Sequence, residues 1–298
     1  MARALTEFKK GDTVEGFRVL QELGRGAASI IYLVQDVSTK QVWALKHVEK
    51  LEPKDQRFLD QAEAEADVNR QLNHPKIRRI ERVIKRRAGL LSGVSDLYIV
   101  MELVDGESLD QSPPRTFEQA VDALQQAASA LAYMHSKGFV HADMKPNNIV
   151  MDANGQIKII DLGQSCKIGT VKERIQGTPD YIAPEQVHCR PITPKTDIYN
   201  LGATIYYLLT RQKVPTALAG GDSLVSRLDD NFIEKPKHAL ELNPRIHPKL
   251  ADLVMQCVEV DPEKRPESMQ FVADRLSLIL GILRAKSVGF NAADSRPD

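Results

Sequence analysis

Scarcity narrows the reading of this chain before any motif does. Its three cysteines, Cys166, Cys189 and Cys257, make neither a C-x-x-C pair nor an even set. A disulfide framework is therefore not expected, and free thiols in a reducing compartment are. Net charge is lacking too, because forty Lys and Arg are cancelled by forty Asp and Glu. No bulk field calls for nucleic acid or an anionic membrane surface. The apolar run LSLILGIL, 276–283, is far short of the roughly 20 residues that cross a bilayer. The opening stretch MARALTEFKKGD has no apolar core of a secretory leader, so a cytoplasmic location is expected. What remains is ordinary for a globular protein: 298 residues, 42% hydrophobic and 27% charged, enough for one or two domains.

Along the chain the hydrophobic period changes once. FRVL, IIYLV and VWALKHV, between residues 17 and 48, are strand-like and separated by a Gly-rich turn and the polar VSTKQ, which predicts an antiparallel meander. Phe58, Ala62, Ala66 and Asn69 follow at helical spacing, with Glu65 on the same stripe, predicting a helix over about 56–72. A carboxylate on an inward stripe needs a partner. Two more strands are expected, around 80–85 and at LYIVME, 97–102, before a break at Gly106. Beyond it the period is 3.6. Phe117, Ala120, Val121, Leu124, Ala127, Ala128, Leu131 and Met134 form an amphipathic stripe closed by Gly138 as C-cap. NNIVM and QIKIID flank a turn at Asp152–Gly155 and predict a hairpin. Helices are expected at 195–211, apolar almost all round, at 249–258 and at 267–285. No internal repeat is visible. The organisation expected is a leader over 1–16, a small antiparallel β lobe with one main helix over 17–104, a larger helical lobe over 105–285, and a disordered tail over 286–298 lacking periodicity.

Four short stretches carry the polar chemistry. In LGRGAASIIY, 23–32, Gly24 and Gly26 lie between two strands, where bare backbone can approach a phosphate. In VWALKHV, alternation puts Val42, Ala44, Lys46 and Val48 on one face. Lys46 thus emerges among apolar neighbours, and Glu65 supplies the counter-charge each lacks alone. HADMKPNN, 141–148, crowds His141, Asp143, Lys145 and Asn148 onto one loop, and Asp161-Leu162-Gly163 ends the following hairpin. Asp143, Asn148 and Asp161 present hard oxygen atoms, which suit Mg²⁺ and phosphate better than a soft metal. Singly, each of these reads as a turn former.

Their order does not. Gly-rich turn, strand Lys, helix Glu, H-x-D-x-K-x-x-N and D-x-G resemble the signature set of the protein kinases. GTPDYIAPEQ, 177–186, resembles the end of that family's activation segment, and TDIYNLG, 196–202, the buried helix anchoring the catalytic loop through Asp197. DPEKRP, 261–266, resembles the segment whose Arg265 pairs with Glu185. The resemblance covers roughly residues 17–284 and has the flavour of the bacterial Ser/Thr kinases. It implies an α+β, bilobal kinase-like fold with ATP between the lobes. Leu23, Gly24, Gly26 and Ser29 would cover the nucleotide, Ile31, Ala44 and Val150 would bound the adenine, and the backbone of Glu102 and Val104 would bond its edge. Met101 would be the gatekeeper. Lys46, held by Glu65, would grip the phosphates, Asn148 and Asp161 would hold Mg²⁺, Asp143 would accept the substrate's hydroxyl proton, and Lys145 would neutralise charge on the γ-phosphoryl group. Lys145 together with Thr178, whose hydroxyl would orient Asp143, implies phosphorylation of protein serine or threonine, with autophosphorylation open to the chain. The alternative is a pseudokinase, an ATP-binding scaffold that keeps the fold without turnover. Such modules lose Lys46, Asp143, Asn148 or Asp161, and all four are present here.

Three positions depart from the pattern. Ala142 stands where many relatives carry an Arg that holds a phosphate of the activation loop, implying activity that does not need that phosphate. Ser29 replaces a third glycine of the phosphate loop. Asn69 stands where the resemblance puts an apolar residue stacking with Leu162, Ile80 and His141. That implies a slipped helix register or a helix less firmly held in its active position. Plainer readings fit the rest: a solvated face for Arg78, Arg79, Arg82, Lys85, Arg86 and Arg87, an incidental thiol for Cys166, and packing or orienting roles for His135 and His141.

Overall fold

The computed structural model describes residues 5–26, 28–87, 89, 93–216 and 233–293, with side chains as far as residue 285. The chain forms two compact units, one of residues 1–104 with Asp161–Gly163, the other of 105–160 with 164–298.

The first unit is built on a six-stranded sheet in the order β1-β2-β3-β4-β6-β5. Its strands are β1 (Thr13–Val14), β2 (Phe17–Arg25), β3 (Ser29–Asp36), β4 (Val42–Glu49), β5 (Ile80–Arg87) and β6 (Val94–Met101), all paired antiparallel. The expected meander is β2-β3-β4. β4 is buried on both faces, as its near-continuous apolar sequence requires. One face, with Ala44 and Val48, packs with Leu59 and Ala62 of helix α1 (Gln56–Asn69). The other, with Trp43 and Leu45, packs with Phe17, Val19, Tyr32 and Val34.

The leader expected over residues 1–16 is more than a leader. Leu5 and Phe8 pack on that second face, the Phe8 N–H donates to Tyr32 Oη at 3.1 Å, and the Phe8 ring meets those of Tyr32, His47 and Tyr98. The basic stretch lies on and just before β5, an edge strand, where charge blunts unwanted strand pairing. There Lys85 pairs with Glu63, Arg86 with Glu15 and Arg79 with Glu81.

The second unit is mainly helical. Its helices are α2 (Phe117–Ser136), α3 (Pro184–Val187), α4 (Pro194–Thr210), α5 (Ala239–Leu242), α6 (Pro248–Cys257) and α7 (Met269–Ala293). Its strands are short: β7 (Glu107–Ser108), β8 (Phe139–Val140), β9 (Ile149–Met151), β10 (Ile157–Ile159) and β11 (Cys166–Lys167). They make a three-stranded sheet, β10-β9-β7, and a pair, β11-β8. Thr116 caps α2 by accepting from the Gln119 N–H, and Thr193 with Pro194 opens α4. From Thr196 to Tyr206 every residue of α4 is buried, matching its all-round apolar sequence. Gly202 is required there, because a Cβ would lie 2.5 Å from Cβ of Cys257 on α6. Gly106 has φ +114°, a left-handed conformation that favours glycine.

The α7 backbone runs to Ala293, past the boundary at 286 expected for a tail, and residues 294–298 lie outside the described residues. Among the described residues no helix is long and apolar enough to cross a membrane.

Candidate active site

In the second unit the site is built around the loop that follows β8. Asp197, fully buried on α4, accepts the N–H of His141 at 2.9 Å and of Ala142 at 2.7 Å, and pairs with His135 Nε2 at 2.8 Å. Burial alone would raise the Asp197 carboxyl, but the hydrogen bond and charge of His135, the nearby His141 and its N–H outweigh it, so the group is held below its ordinary value. Ala142 takes φ +61°, an uncommon conformation for a residue with a Cβ. It is fixed on both sides, by Asp197 at its N–H and by Gln186 Nε2 donating to its carbonyl at 2.7 Å. This turn directs Asp143 away from the buried cluster.

The Asp143 carboxylate is then engaged on both oxygens. Oδ1 accepts from Thr178 Oγ1 at 2.8 Å and from the Thr178 N–H at 3.0 Å. Oδ2 accepts from Lys145 Nζ at 2.9 Å, and the same ammonium donates to Thr178 Oγ1 at 2.7 Å. Asp143, Lys145 and Thr178, separated by up to 35 positions, thus form one closed polar triangle. Asn148 sits at the end of a 3-10 turn, Pro146–Asn148, and its Nδ2 donates to the Asp143 carbonyl at 2.8 Å. That bond fixes the orientation of the amide and leaves Oδ1 as the atom to offer a cation. Val150 is buried on β9.

The end of the segment after Gly163 is anchored by a second buried pair. Arg265 makes a bidentate contact with Glu185, Nη1 to Oε1 at 2.8 Å and Nη2 to Oε2 at 3.0 Å. Its other donors reach the carbonyls of Glu259, Val260 and Lys195, and the guanidinium lies over the Tyr199 ring at 4.9 Å. Every donor of a fully buried guanidinium matters here, because an unmatched one is costly.

In the first unit Lys46 Nζ donates to Glu65 Oε2 at 2.7 Å, and Glu65 is only 3% exposed. Burial lowers the Lys46 ammonium, while Glu65 and Asp161 raise it further, for a net rise above its ordinary value. Asp161 Oδ1 accepts the Gly163 N–H at 2.8 Å. The strand register sets Ile31 opposite Lys46, Gly24 opposite Ile31, and Ala44 opposite the fully buried Met101. Gly26 closes the turn, its N–H donating to Ser29 O at 2.8 Å, and Leu23 is 45% exposed just before it. Ser29 and Lys46 line a cleft of about 190 Å³ with Ala28, Val48, Phe58, Gln61 and Ala62. Glu102 donates its N–H to Arg79 O at 2.9 Å, and Val104 is the last residue of the unit before Asp161.

Sequence reasoning missed Gln186 and Asn200. Gln186 Oε1 accepts from the Ala183 N–H and from Asn200 Nδ2, each at 3.0 Å, while its Nε2 holds the Ala142 carbonyl. The only signal was a glutamine directly after A-P-E. At Asn69 the helix register is not slipped, since Glu65 and Asn69 are both buried on one stripe, and Asn69 is bonded to backbone. Burial raises the Cys166 thiol above its ordinary value and pushes Cys257 up to about 12, so neither is an activated thiolate.

The profile of the family described as "Protein kinase domain" matches residues 17–276. A probable serine/threonine-protein kinase of Streptomyces coelicolor is 32% identical over 286 residues, 91% of this chain and 40% of that protein. Serine/threonine-protein kinase PrkC of Bacillus subtilis is 29% identical over 286 residues, 90% of this chain and 42% of its own length. Serine/threonine-protein kinase PknA of Mycobacterium tuberculosis is 30% identical over 266 residues, 86% of this chain and 58% of its own. The chain thus spans between 40% and 58% of the length of these relatives.

Proposed function

Because the chain belongs to the protein kinase domain family, we propose that it transfers the γ-phosphoryl group of ATP to serine and threonine hydroxyls of proteins, its own included. The observation that carries the reading is the closed triangle of Asp143, Lys145 and Thr178. Phosphoryl transfer needs positioning and charge neutralisation rather than a nucleophilic side chain. The triangle supplies a carboxylate oriented to accept a hydroxyl proton beside an ammonium that can follow negative charge onto the transferred group. Lys46, held by Glu65, would bind the α and β phosphates. Leu23, Gly24, Gly26 and Ser29 would lie over them, and Ile31, Ala44, Met101, Glu102, Val104 and Val150 would receive the adenine.

Among the described residues no three His, Cys, Asp or Glu side chains converge as a metal site. Mg²⁺ is commonly held by one or two protein oxygens together with substrate phosphates. Asn148 and Asp161 would be those ligands, the first through the Oδ1 that its bond to Asp143 leaves over. When bound, the ion would neutralise phosphate charge.

The rival reading, a scaffold without turnover, is disfavoured by the same triangle, since its bonds orient a carboxylate that a scaffold does not need. Incubation with labelled ATP, Mg²⁺ and a generic basic protein decides between them. Incorporation by the wild type, reduced roughly 10²–10⁴-fold in Asp143→Asn, is expected. Equal incorporation by both would leave only the scaffold.

A further inference from the structure

Helix α1 carries Glu65, and its hold on the sheet is unusual. Its buried residues are Leu59, Ala62, Glu65, Ala66, Val68 and Asn69. Only Leu59 and Val68 are large and apolar, with the partly buried Phe58 packing beside Leu59 and Ala62, so polar contacts carry a share of the hold. The two buried polar residues lie four apart, on one face. Glu65 meets Lys46, and Asn69, 5% exposed, meets backbone.

Asn69 Nδ2 donates to the carbonyl of Arg78 and its Oδ1 accepts from the N–H of Ile80, both at 2.8 Å. A carbonyl can only accept and a peptide N–H can only donate, so one orientation of the amide satisfies both. The side chain therefore pairs with the chain entering β5 as a neighbouring strand would, and it joins the last residue of α1 to the first of β5. The peptide it holds is that of Arg78, a half-buried cation next to Glu65 and Asp161. Burial depresses the Arg78 guanidinium from its ordinary value while those two carboxylates and Glu102 uphold it.

We propose that Asn69 is a positioning residue for the Lys46–Glu65 pair, its amide clipping α1 to the backbone of Arg78 and Ile80 so that Glu65 is presented to Lys46. The clip replaces apolar packing with two directional bonds, which fix rotation as well as distance. A leucine, with the same branching but no polar atoms, would leave both backbone groups unmatched in a buried place. An aspartate would satisfy the Ile80 N–H but set a carboxylate oxygen against the Arg78 carbonyl.

The proposal rests on the kinase reading for its kinetic consequence alone, and a double-mutant cycle tests it. Asn69→Ala should raise KM for ATP about tenfold in the wild type, with a smaller change in kcat, and have little further effect in a Glu65→Gln background. Asn69→Asp should show the same defect at neutral pH and recover as pH falls, when the protonated acid can donate to Arg78 O. The same cycle is run on urea midpoints, which need no turnover. Equal effects of Asn69→Ala in both backgrounds, by KM and by urea, would overturn the proposal and leave the kinase reading standing. A wild type without phosphoryl transfer but with a coupled urea cycle would remove the kinase reading and keep the clip.

Discussion

The two units hold their functional carboxylates in opposite ways. In the second, Asp143 stands on a loop whose backbone is bonded by Asp197, Gln186 and Asn148, while its own carboxylate is bonded by Thr178 and Lys145. The elements that supply those bonds are themselves buried and paired. In the first, Glu65 rides on a 14-residue helix, and among the described residues its carboxylate has a single hydrogen bond, to Lys46. On the proposed reading, a carboxylate that receives a proton gains from rigidity. A pair that closes on a nucleotide gains from a hold that is specific but shallow. The units thus put their structural free energy in different places, and substitutions should separate stability from catalysis accordingly.

The largest effect is expected at Arg265. Arg265→Ala leaves the buried Glu185 carboxylate and three carbonyls without their donors, and breaking a buried pair in this way costs about 3–5 kcal/mol. Urea unfolding monitored in the second unit should show that loss. The exposed Lys213–Asp180 pair is shorter, at 2.6 Å, yet its removal should shift the urea midpoint far less, because water screens it.

Asp197→Asn comes next, at roughly 2–3 kcal/mol, since one of two backbone N–H groups then faces an amide N–H₂. Its signature is in the pH profile. The Asp197 carboxyl is depressed in the folded chain, so its stabilisation is fully present above the unfolded value of about 3.9 and is lost as pH falls through the lower folded value. The wild-type urea midpoint should decline below about pH 5, and the Asn variant should decline less. An identical acid limb in both proteins would mean that other carboxylates carry it.

These contrasts also explain what the sequence could and could not disclose. Motif spacing located Asp143, Asp161, Lys46 and Glu65, because each lies at a fixed offset within a strand, helix or turn. Periodicity located α2 in the same way, and a long, nearly all-round apolar run located α4. The second face of the sheet was invisible, because Phe8 is one aromatic in the polar stretch TEFKKGD and carries no period. Gln186 and Asn69 were opaque for a different reason. Their function lies in which backbone groups they meet, and residue type does not state that. The end of α7 was missed because AKSVGFNAA has no apolar stripe to extend the helical period.

In the first unit the ranking of stability and catalysis should reverse. Glu65→Gln can still bond Lys46 but no longer offers it a charge, so the urea midpoint should fall by less than in Arg265→Ala. KM for ATP should rise about 10- to 100-fold, equivalent to about 1.4–2.7 kcal/mol of lost nucleotide binding. If stability fell as far as in Arg265→Ala while KM held, the contrast between the units would be wrong.

The smallest expected effect is a null one, at the segment between Gly163 and Gly177. Ala142 packs with Val140, Ile192 and Cys166, an apolar cluster whose own members offer no charge to a phosphate. The segment is instead tied down by backbone. β11 pairs with β8, the Ile168 N–H donates to Gly138 O at 3.0 Å, the Gly169 N–H to Ile192 O at 2.7 Å, and the Ile192 N–H to Thr170 O at 2.8 Å. Lys172 Nζ adds a bond to the Gln164 carbonyl at 3.1 Å. These bonds exist without any added charge, so a phosphate would have little left to order. Phosphatase treatment, or the Ser165→Ala and Thr170→Ala substitutions, should therefore change the rate of phosphoryl transfer less than about twofold, well under the tenfold that 1.4 kcal/mol represents. Thr178 stays unaltered in this test because its hydroxyl holds Asp143. A loss of activity as deep as that of Asp143→Asn would show that a phosphate, bound elsewhere than at Ala142, completes the site.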